Sequence, residues 1–282
     1  MSGQMMYRLP VEAAERVHMR RYIAALGASK ARQDNRGFYH YAGIHGAPGR
    51  WCWHHQFSPR TSLSARLFLP WHRAYLHRLE QSLQDIDEEV SIPWWDWTEG
   101  EGIPEAFDVA LIDGEENPLH SSRIQLYSPQ VPEPVDLVTE RNPDGLLPVF
   151  SFPVADVNGD GRATLGEIAA FLVERVDTFE QFNDLIETVH DQLHVYVGAT
   201  MASTTYAAYD PIFYSHHCMI DRLWSLWQKR HGITNFPPGL EDIVLEPFGL
   251  TVGEVLNVQS LGYEYARSVA DLTLAGSGLE EA

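Results

Sequence analysis

The sequence predicts a mainly α fold, a four-helix bundle with long irregular loops, on three observations. Apolar residues recur at helical spacing in five separate stretches, strand-like alternation is scarce, and no repeat of solenoid length is present. Residues 10–27 place Val11, Ala14, Val17, Tyr22 and Leu26 at roughly helical intervals, with Gly27 as C-cap. Residues 68–86 set Trp71, Tyr75, Leu79 and Leu83 on one face and close in acids before Pro93. From Pro104 to Pro153 the chain is rich in Pro, Asn, Asp and Ser with little periodicity, which predicts a long irregular excursion packed on the core. Helical patterning returns over residues 165–176, 179–196 and 212–230.

A chain of 282 residues, 44% hydrophobic and with 12 Tyr, 12 Phe and 8 Trp, can bury a sizeable core. Its formal net charge of -19, from 39 acids against 20 bases, repels nucleic acid phosphates and anionic membranes and leaves small neutral molecules as the expected partners. No stretch is long and apolar enough to span a membrane. Two cysteines, Cys52 and Cys218, are too few for a disulfide framework, and the N-terminus shows no apolar signal segment, so a cytoplasmic setting is expected. A homo-oligomer is left open.

The thirteen histidines carry the chemistry. His190 and His194, four apart on a predicted helix, leave the same face and can meet one metal. A zinc peptidase would want Glu after the first histidine, where Asp191 stands with a shorter reach. The block DPIFYSHHCMIDRLW adds His216 and His217; adjacent helical residues point about 100° apart, so only one of the two can join that metal and the other packs or hydrogen-bonds. Asp221, four after His217, suits a carboxylate that fixes a histidine. Upstream, GIHGAPGRWCWHH and LFLPWHRAYL supply His45, His54 or His55, and His72. Phe68 precedes His72 by four and Phe213 precedes His217 by four, so each ring shares the helical face of its histidine and walls off a metal. Two three-histidine sets without an obvious carboxylate or thiolate donor favour copper.

These motifs, together with IPWWDW at residues 92–97, VHDQLHVYVG at residues 189–198 and LGYEY at residues 261–265, resemble the tyrosinase, catechol oxidase and molluscan haemocyanin family from about Tyr22 to Tyr265. The resemblance implies a helical bundle holding two copper ions, the first on His45, His54 and His72, the second on His190, His194 and His217, with His216 a neighbour without a metal. It implies a copper domain over residues 1–266, with a tail at 267–282. Many relatives place the middle ligand nine residues before the histidine matching His72, where Leu63 stands here, so residues 56–66 look like an inserted loop; Cys52 two before His54 resembles the family's Cys-x-His thioether and favours His54 over His55.

The implied activity is ortho-hydroxylation of monophenols and oxidation of o-diphenols to o-quinones with dioxygen. Glu180, in FEQF, is nominated as the carboxylate that orders a water near the second copper, with Asp191 as its companion. Strongly monophenol-active relatives often carry Asn at the position of Asp191, which leaves catechol or o-aminophenol oxidation as the alternative. Oxygen carriage of the haemocyanin type is the competing function; the chain ends 17 residues after Tyr265, which leaves no room for a shielding domain and favours an enzyme.

One motif stands apart. Residues 156–167, DVNGDGRATLGE, fit an EF-hand loop, with Asp156, Asn158, Asp160, the Arg162 carbonyl, Thr164 and Glu167 as ligands of one calcium ion. Its expected role is to pin the excursion onto the bundle; a calcium-regulated binding protein is the third functional class it raises.

Overall fold

Among the residues that the computed structural model describes, 5–12, 16–52, 62–100, 102–126, 135–143 and 162–267, six helices of two turns or more carry the architecture. They are α1 (Arg16–Ala31), α2 (Phe38–His45), α3 (Phe68–Gln84), α4 (Leu165–Arg175), α5 (Phe179–Val197) and α6 (Ile212–His231). α3 and α6 pack along each other, α4 lies on α6, and α1 lies on α3. Trp71 and Tyr75 from α3 and Tyr214, Trp224 and Trp227 from α6 are fully buried and fill the space between helices. This is the mainly helical bundle that the patterning predicts.

The helix ends are set by local residue choices. Thr178 caps α5 by accepting from the Gln181 amide, and α5 stops at Gly198, whose φ of 72° suits glycine. A Cβ at Gly198 would also lie 2.1 Å from Asn142 Oδ1, so glycine lets the returning excursion touch the helix end. α6 starts after Pro211, where the Asp210 carboxylate accepts from the Ile212 amide at 3.1 Å, and ends in Lys229, Arg230 and His231 beside its negative dipole end.

Three expectations change. The first helix runs through Gly27 to Ala31, so Gly27 is interior; Lys30 in the last turn donates to the carbonyls of Pro118 at 2.5 Å and Ser121 at 2.7 Å and draws the excursion against it. The excursion is not wholly irregular, because β2 (Leu111–Ile112) pairs antiparallel with β3 (Glu115–Glu116) and β4 (Arg123–Leu126) with β5 (Val135–Val138). Arg141 clamps it to the bundle by gripping the buried Asp210 carboxylate with Nε at 3.0 and 2.9 Å while donating to the Leu119 carbonyl at 2.8 Å. The third change lies toward the ends of the described chain, where further short strands form. Past α6, β6 (Val244–Leu245) pairs antiparallel with β7 (Leu250–Thr251). Strand β1 (Met6–Arg8) pairs in parallel with β8 (Tyr263–Tyr265), with Arg8 opposite Tyr265. Strands of two or three residues are too short to show alternation in sequence.

Candidate metal centre

His45 closes α2, His72 lies in the second turn of α3, His190 and His194 sit on α5, and His217 on α6. The turn immediately after His45 fixes its position. A Cβ at Gly46 would fall 2.1 Å from the Thr205 carbonyl oxygen, so only glycine lets the chain pass there, and the Ala47 amide donates to that same carbonyl at 3.0 Å.

Three of the rings are oriented through Nδ1. His72 Nδ1 donates to the Phe68 carbonyl at 2.8 Å, His194 Nδ1 to the Met201 carbonyl at 2.8 Å, and His190 Nδ1 to the Asp191 carboxylate at 2.9 Å. A carbonyl or carboxylate fixes the proton on Nδ1, so the Nε2 lone pairs are left to face inward. They converge: His190 Nε2 lies 3.1 Å and His194 Nε2 3.4 Å from His217 Nε2. The donor atoms of His190, His194 and His217 lie within 4.8 Å of one another, and so do those of His45, Cys52 and His72. The two groups abut, with the rings of His72 and His217 stacked at 4.3 Å and 19°.

Burial, then the facing imidazoles of His72, His190, His216 and His194, hold His217 well below the usual histidine range, so it stays neutral. Neutral imidazole lone pairs packed this closely repel each other and are relieved by a shared cation. A nitrogen-dominated donor set with no carboxylate in either group suits copper or zinc rather than magnesium or calcium.

Phe213 stands 4.1 Å from the His217 ring and 4.8 Å from the His45 ring, and Phe68 stands 4.9 Å from both His72 and His190. Each phenylalanine, one turn before its own histidine, thus reaches across to a ring of the other group. His216 is fully buried, stacks on His190 at 5.2 Å and 13°, and makes no hydrogen bond through either ring nitrogen among the described residues. A cavity of about 320 Å³ opens onto the centre, lined by His45, Glu187, His190, Asp191, His194 and Met201 among others.

Two expectations are overturned here. Asp221 does not fix a histidine: its Oδ1 accepts from Arg73 Nε at 2.5 Å and its Oδ2 from the hydroxyls of Tyr263 at 2.7 Å and Tyr265 at 2.5 Å, with Arg8 at 3.4 Å. Burial pushes Asp221 up, but Arg73 and Arg8, helped by the two tyrosines, outweigh it and hold the carboxyl below its ordinary value. Glu180 does not reach the centre. It sits in the exposed first turn of α5, 3.9 Å from Arg66, and ten residues of helix at ~1.5 Å per residue separate it from His190. The carboxylate that lines the cavity is Glu187, 5% exposed. The spacing Glu187-x-x-His190-x-x-x-His194 places all three on one helical face, a signal present in the sequence.

His54 and His55 lie outside the described residues, as do Asp156, Asn158 and Asp160. Cys52 is buried with Sγ 3.7 Å from His72 Nε2. At the end of the 156–167 segment Thr164 and Glu167 form a reciprocal capping box, the Glu167 carboxylate accepting from the Thr164 amide at 2.8 Å, which occupies one face of the twelfth ligand. Arg162 lies two residues before this cap.

A helical bundle that brings two abutting imidazole groups to the foot of one cavity defines a dinuclear metal protein. Residues 35–230 match the family model for the common central domain of tyrosinase, and the chain belongs to that family, which implies a dinuclear copper centre. Among its relatives, a tyrosinase of Streptomyces glaucescens is 28% identical over 221 residues, covering 66% of this chain and 71% of that protein. Hemocyanin 1 of Megathura crenulata is 31% identical over 230 residues, 79% of this chain but 6% of that polypeptide. The chain spans only 8% of the G-type hemocyanin of Enteroctopus dofleini, to which it is 28% identical over 249 residues. In fold it is similar to a functional unit of octopus hemocyanin, with a TM-score of 0.69 at 22% identity over 97% of this chain and 73% of that one. A copper-bound mutant of active tyrosinase from Aspergillus oryzae, complexed with L-tyrosine, gives a TM-score of 0.72 at 19% identity over 97% and 94%.

Proposed function

We propose that this chain is a phenol oxidase that holds two copper ions, one on His45, His54 and His72 and one on His190, His194 and His217, and uses dioxygen to ortho-hydroxylate monophenols and oxidise o-diphenols to o-quinones. The observation that carries the reading is the cavity: it reaches the convergent histidines and brings a buried carboxylate, Glu187, to the same wall. A proton acceptor beside an open cavity suits a phenol that must be deprotonated there. In balanced form two catechols and one dioxygen give two o-quinones and two waters, and one monophenol with one dioxygen gives one o-quinone and one water.

Copper bound there supplies the redox couple through which dioxygen takes the electrons of the phenol. The residues of the chain supply the rest. A phenol gives up its proton near pH ~10, so at neutral pH it needs an acceptor, and Glu187 takes that proton at its carboxylate. Asp191 holds the His190 proton on Nδ1 and so keeps Nε2 a donor. Phe68 and Phe213 exclude water from the inner faces of the imidazoles. The Cys52–His54 thioether belongs to this reading, supported by a buried sulfur among the donors of the first group. Calcium on the 156–167 segment is a separate structural element of the reading, supported by the ligand pattern alone.

Oxygen uptake by copper-reconstituted protein on tyrosine, tyramine, catechol and 2-aminophenol tests the activity. Turnover of catechol with hydroxylation of tyramine is the expected result. Reversible oxygen binding without consumption of any of the four would replace the oxidase with a carrier.

A further inference from the structure

Beyond phenol turnover, and resting on the copper reading, we propose that Tyr75 leads oxidising equivalents from the histidine-held centre to Tyr41 at the surface, where an external reductant discharges them when no phenol is bound. The side chains around the centre fall into two kinds. Phe68 and Phe213 touch the imidazoles but do not give up electrons readily. Tyr75 and Trp71 do, and neither lines the cavity. The Tyr75 ring stacks on His45 at 6.3 Å and 22°, and Trp71 meets the His72 ring at 5.0 Å. Trp71 and Tyr75 are themselves 5.2 Å apart at 36°, so both described histidines of the first group, His45 and His72, lead to one tyrosine. Tyr75 then faces Tyr41 at 6.4 Å and 35°, and its hydroxyl donates to the Tyr41 carbonyl at 2.6 Å.

The burial gradient gives this path a direction. Trp71 and Tyr75 are fully buried, whereas Tyr41 is half-buried on α2 next to the exposed His40. Electron transfer falls off steeply with distance, so two short ring-to-ring steps outrun one long one. A phenol that loses an electron must also lose its proton. The Tyr75 hydroxyl faces a backbone carbonyl and, 3.1 Å away, the buried Tyr214 hydroxyl, which itself donates to the Ala208 carbonyl, so no group there carries the proton to water and the oxidation does not rest on Tyr75. The Tyr41 hydroxyl donates to the Arg78 carbonyl at 3.0 Å in a partly wet position, from which water can take the proton. Electrons and protons balance: Tyr75 gives one electron inward and regains one from Tyr41; Tyr41 releases one proton to water and is left a neutral phenoxyl radical. Ascorbate or another one-electron reductant then returns one hydrogen atom. Dioxygen is the terminal oxidant, taking up four electrons and four protons to give two waters.

Tyr41, like Tyr75, is absent from the cavity lining, so the path is separate from phenol binding. The test uses the full copper-reconstituted chain with dioxygen, limiting ascorbate and the nitroso spin trap 2-methyl-2-nitrosopropane, without phenol, and then peptide mass mapping. Copper content and catechol turnover are measured on the same sample. The expected result is a trap adduct on Tyr41 that is absent from zinc-loaded protein. In Tyr75→Phe the adduct on Tyr41 falls several-fold, and oxygen insertion rises on Trp71 and His45. In Tyr41→Phe the adduct disappears from position 41 while catechol turnover stays unchanged and oxidation builds up on Tyr75; this variant carries the test where Tyr75→Phe does not fold. Copper-loaded, catechol-active protein with no adduct on Tyr41, or with an equal adduct in Tyr75→Phe, overturns the path and leaves the oxidase standing. A chain that takes up no copper overturns both.

Discussion

His72 and Arg73 are neighbours on α3, and His217 and Asp221 are one turn apart on α6, yet the two buried clusters they build follow opposite electrostatic plans. In the histidine cluster neutral rings aim lone pairs at each other at 3.1 and 3.4 Å. In the charged cluster every charge has an answer. Arg8 holds Glu80 with Nε at 3.0 Å and a second nitrogen at 3.1 Å, and Arg73 holds Asp221 at 2.5 Å while its guanidinium lies 3.6 Å over the Trp224 ring. Two cations face two anions, and β1 and β8 deliver Arg8, Tyr263 and Tyr265 to them. The contrast teaches that a charge-matched cluster fixes the separation of α3 and α6, so that its neighbour can keep lone pairs aimed inward for a metal.

The comparison breaks most severely at Asp221. Asp221→Ala leaves Arg8 and Arg73 as buried charges with one anion between them, and urea denaturation of the metal-free protein is expected to show a loss of about 3–5 kcal/mol. A loss under about 1 kcal/mol would mean that the cluster does not hold the helices. Next in size is Glu187→Gln, expected to cut monophenol turnover by on the order of a hundredfold and catechol turnover far less, with copper content unchanged. Glu180→Gln, on the exposed first turn, serves as its control and leaves both activities near those of the parent.

Acid separates the two clusters in the metal-free protein. Burial, then His194 and His72, hold His216 well below the ordinary histidine value, and burial with Arg8 and Arg78 takes His77 to about 4; His217 is lowered likewise. These groups stay neutral in the folded chain while the unfolded chain takes up protons near pH ~6.5, so their contribution is complete above that value and is lost as pH falls toward their folded values. Asp221, lowered from 3.8, keeps its contribution until pH falls below that figure. Denaturation midpoints across pH 7 to 3 are therefore expected to fall in two stages, the first beginning below about 6.5 and the second below about 4. A midpoint flat down to pH 4 would mean that the buried histidines exchange protons freely in the folded state.

The smallest effects come from the metal-facing side chains and the loop. His194→Ala is expected to change metal-free stability by less than about 1 kcal/mol, because the residue is only half-buried, while lowering copper uptake from two ions toward one. A large loss of stability would make His194 a packing residue instead. For the 156–167 segment, EGTA is expected to lower the melting temperature by a few degrees and calcium to restore it. An unchanged melting curve would leave the Thr164–Glu167 capping box as the whole purpose of that sequence.

The features legible in the sequence are those that local spacing encodes. HxxxH on α5, the phenylalanines one turn before His72 and His217, and the adjacency of His216 and His217 each depend on helix geometry, and each side chain lies beside the histidines as that geometry requires. The features that mislead depend on distant partners. Asp221 is on the face of His217 by count, but Arg73, 148 residues away, and the tyrosines of β8 claim its oxygens first. α2 is not legible because FYHYAGIH is apolar nearly all round and too short for a period to show. Glu187 is legible from helix geometry alone: the family resemblance points to FEQF, whereas the face shared with His190 and His194 names Glu187 directly.

The central claim is that the two abutting histidine groups form one dinuclear copper centre. Metal analysis of purified chain reconstituted with copper and freed of excess by gel filtration measures this without reference to any substrate. Two copper ions per chain, falling to about one in His194→Ala and remaining two in Glu180→Gln, is the predicted result. One copper or none in the parent chain would contradict it.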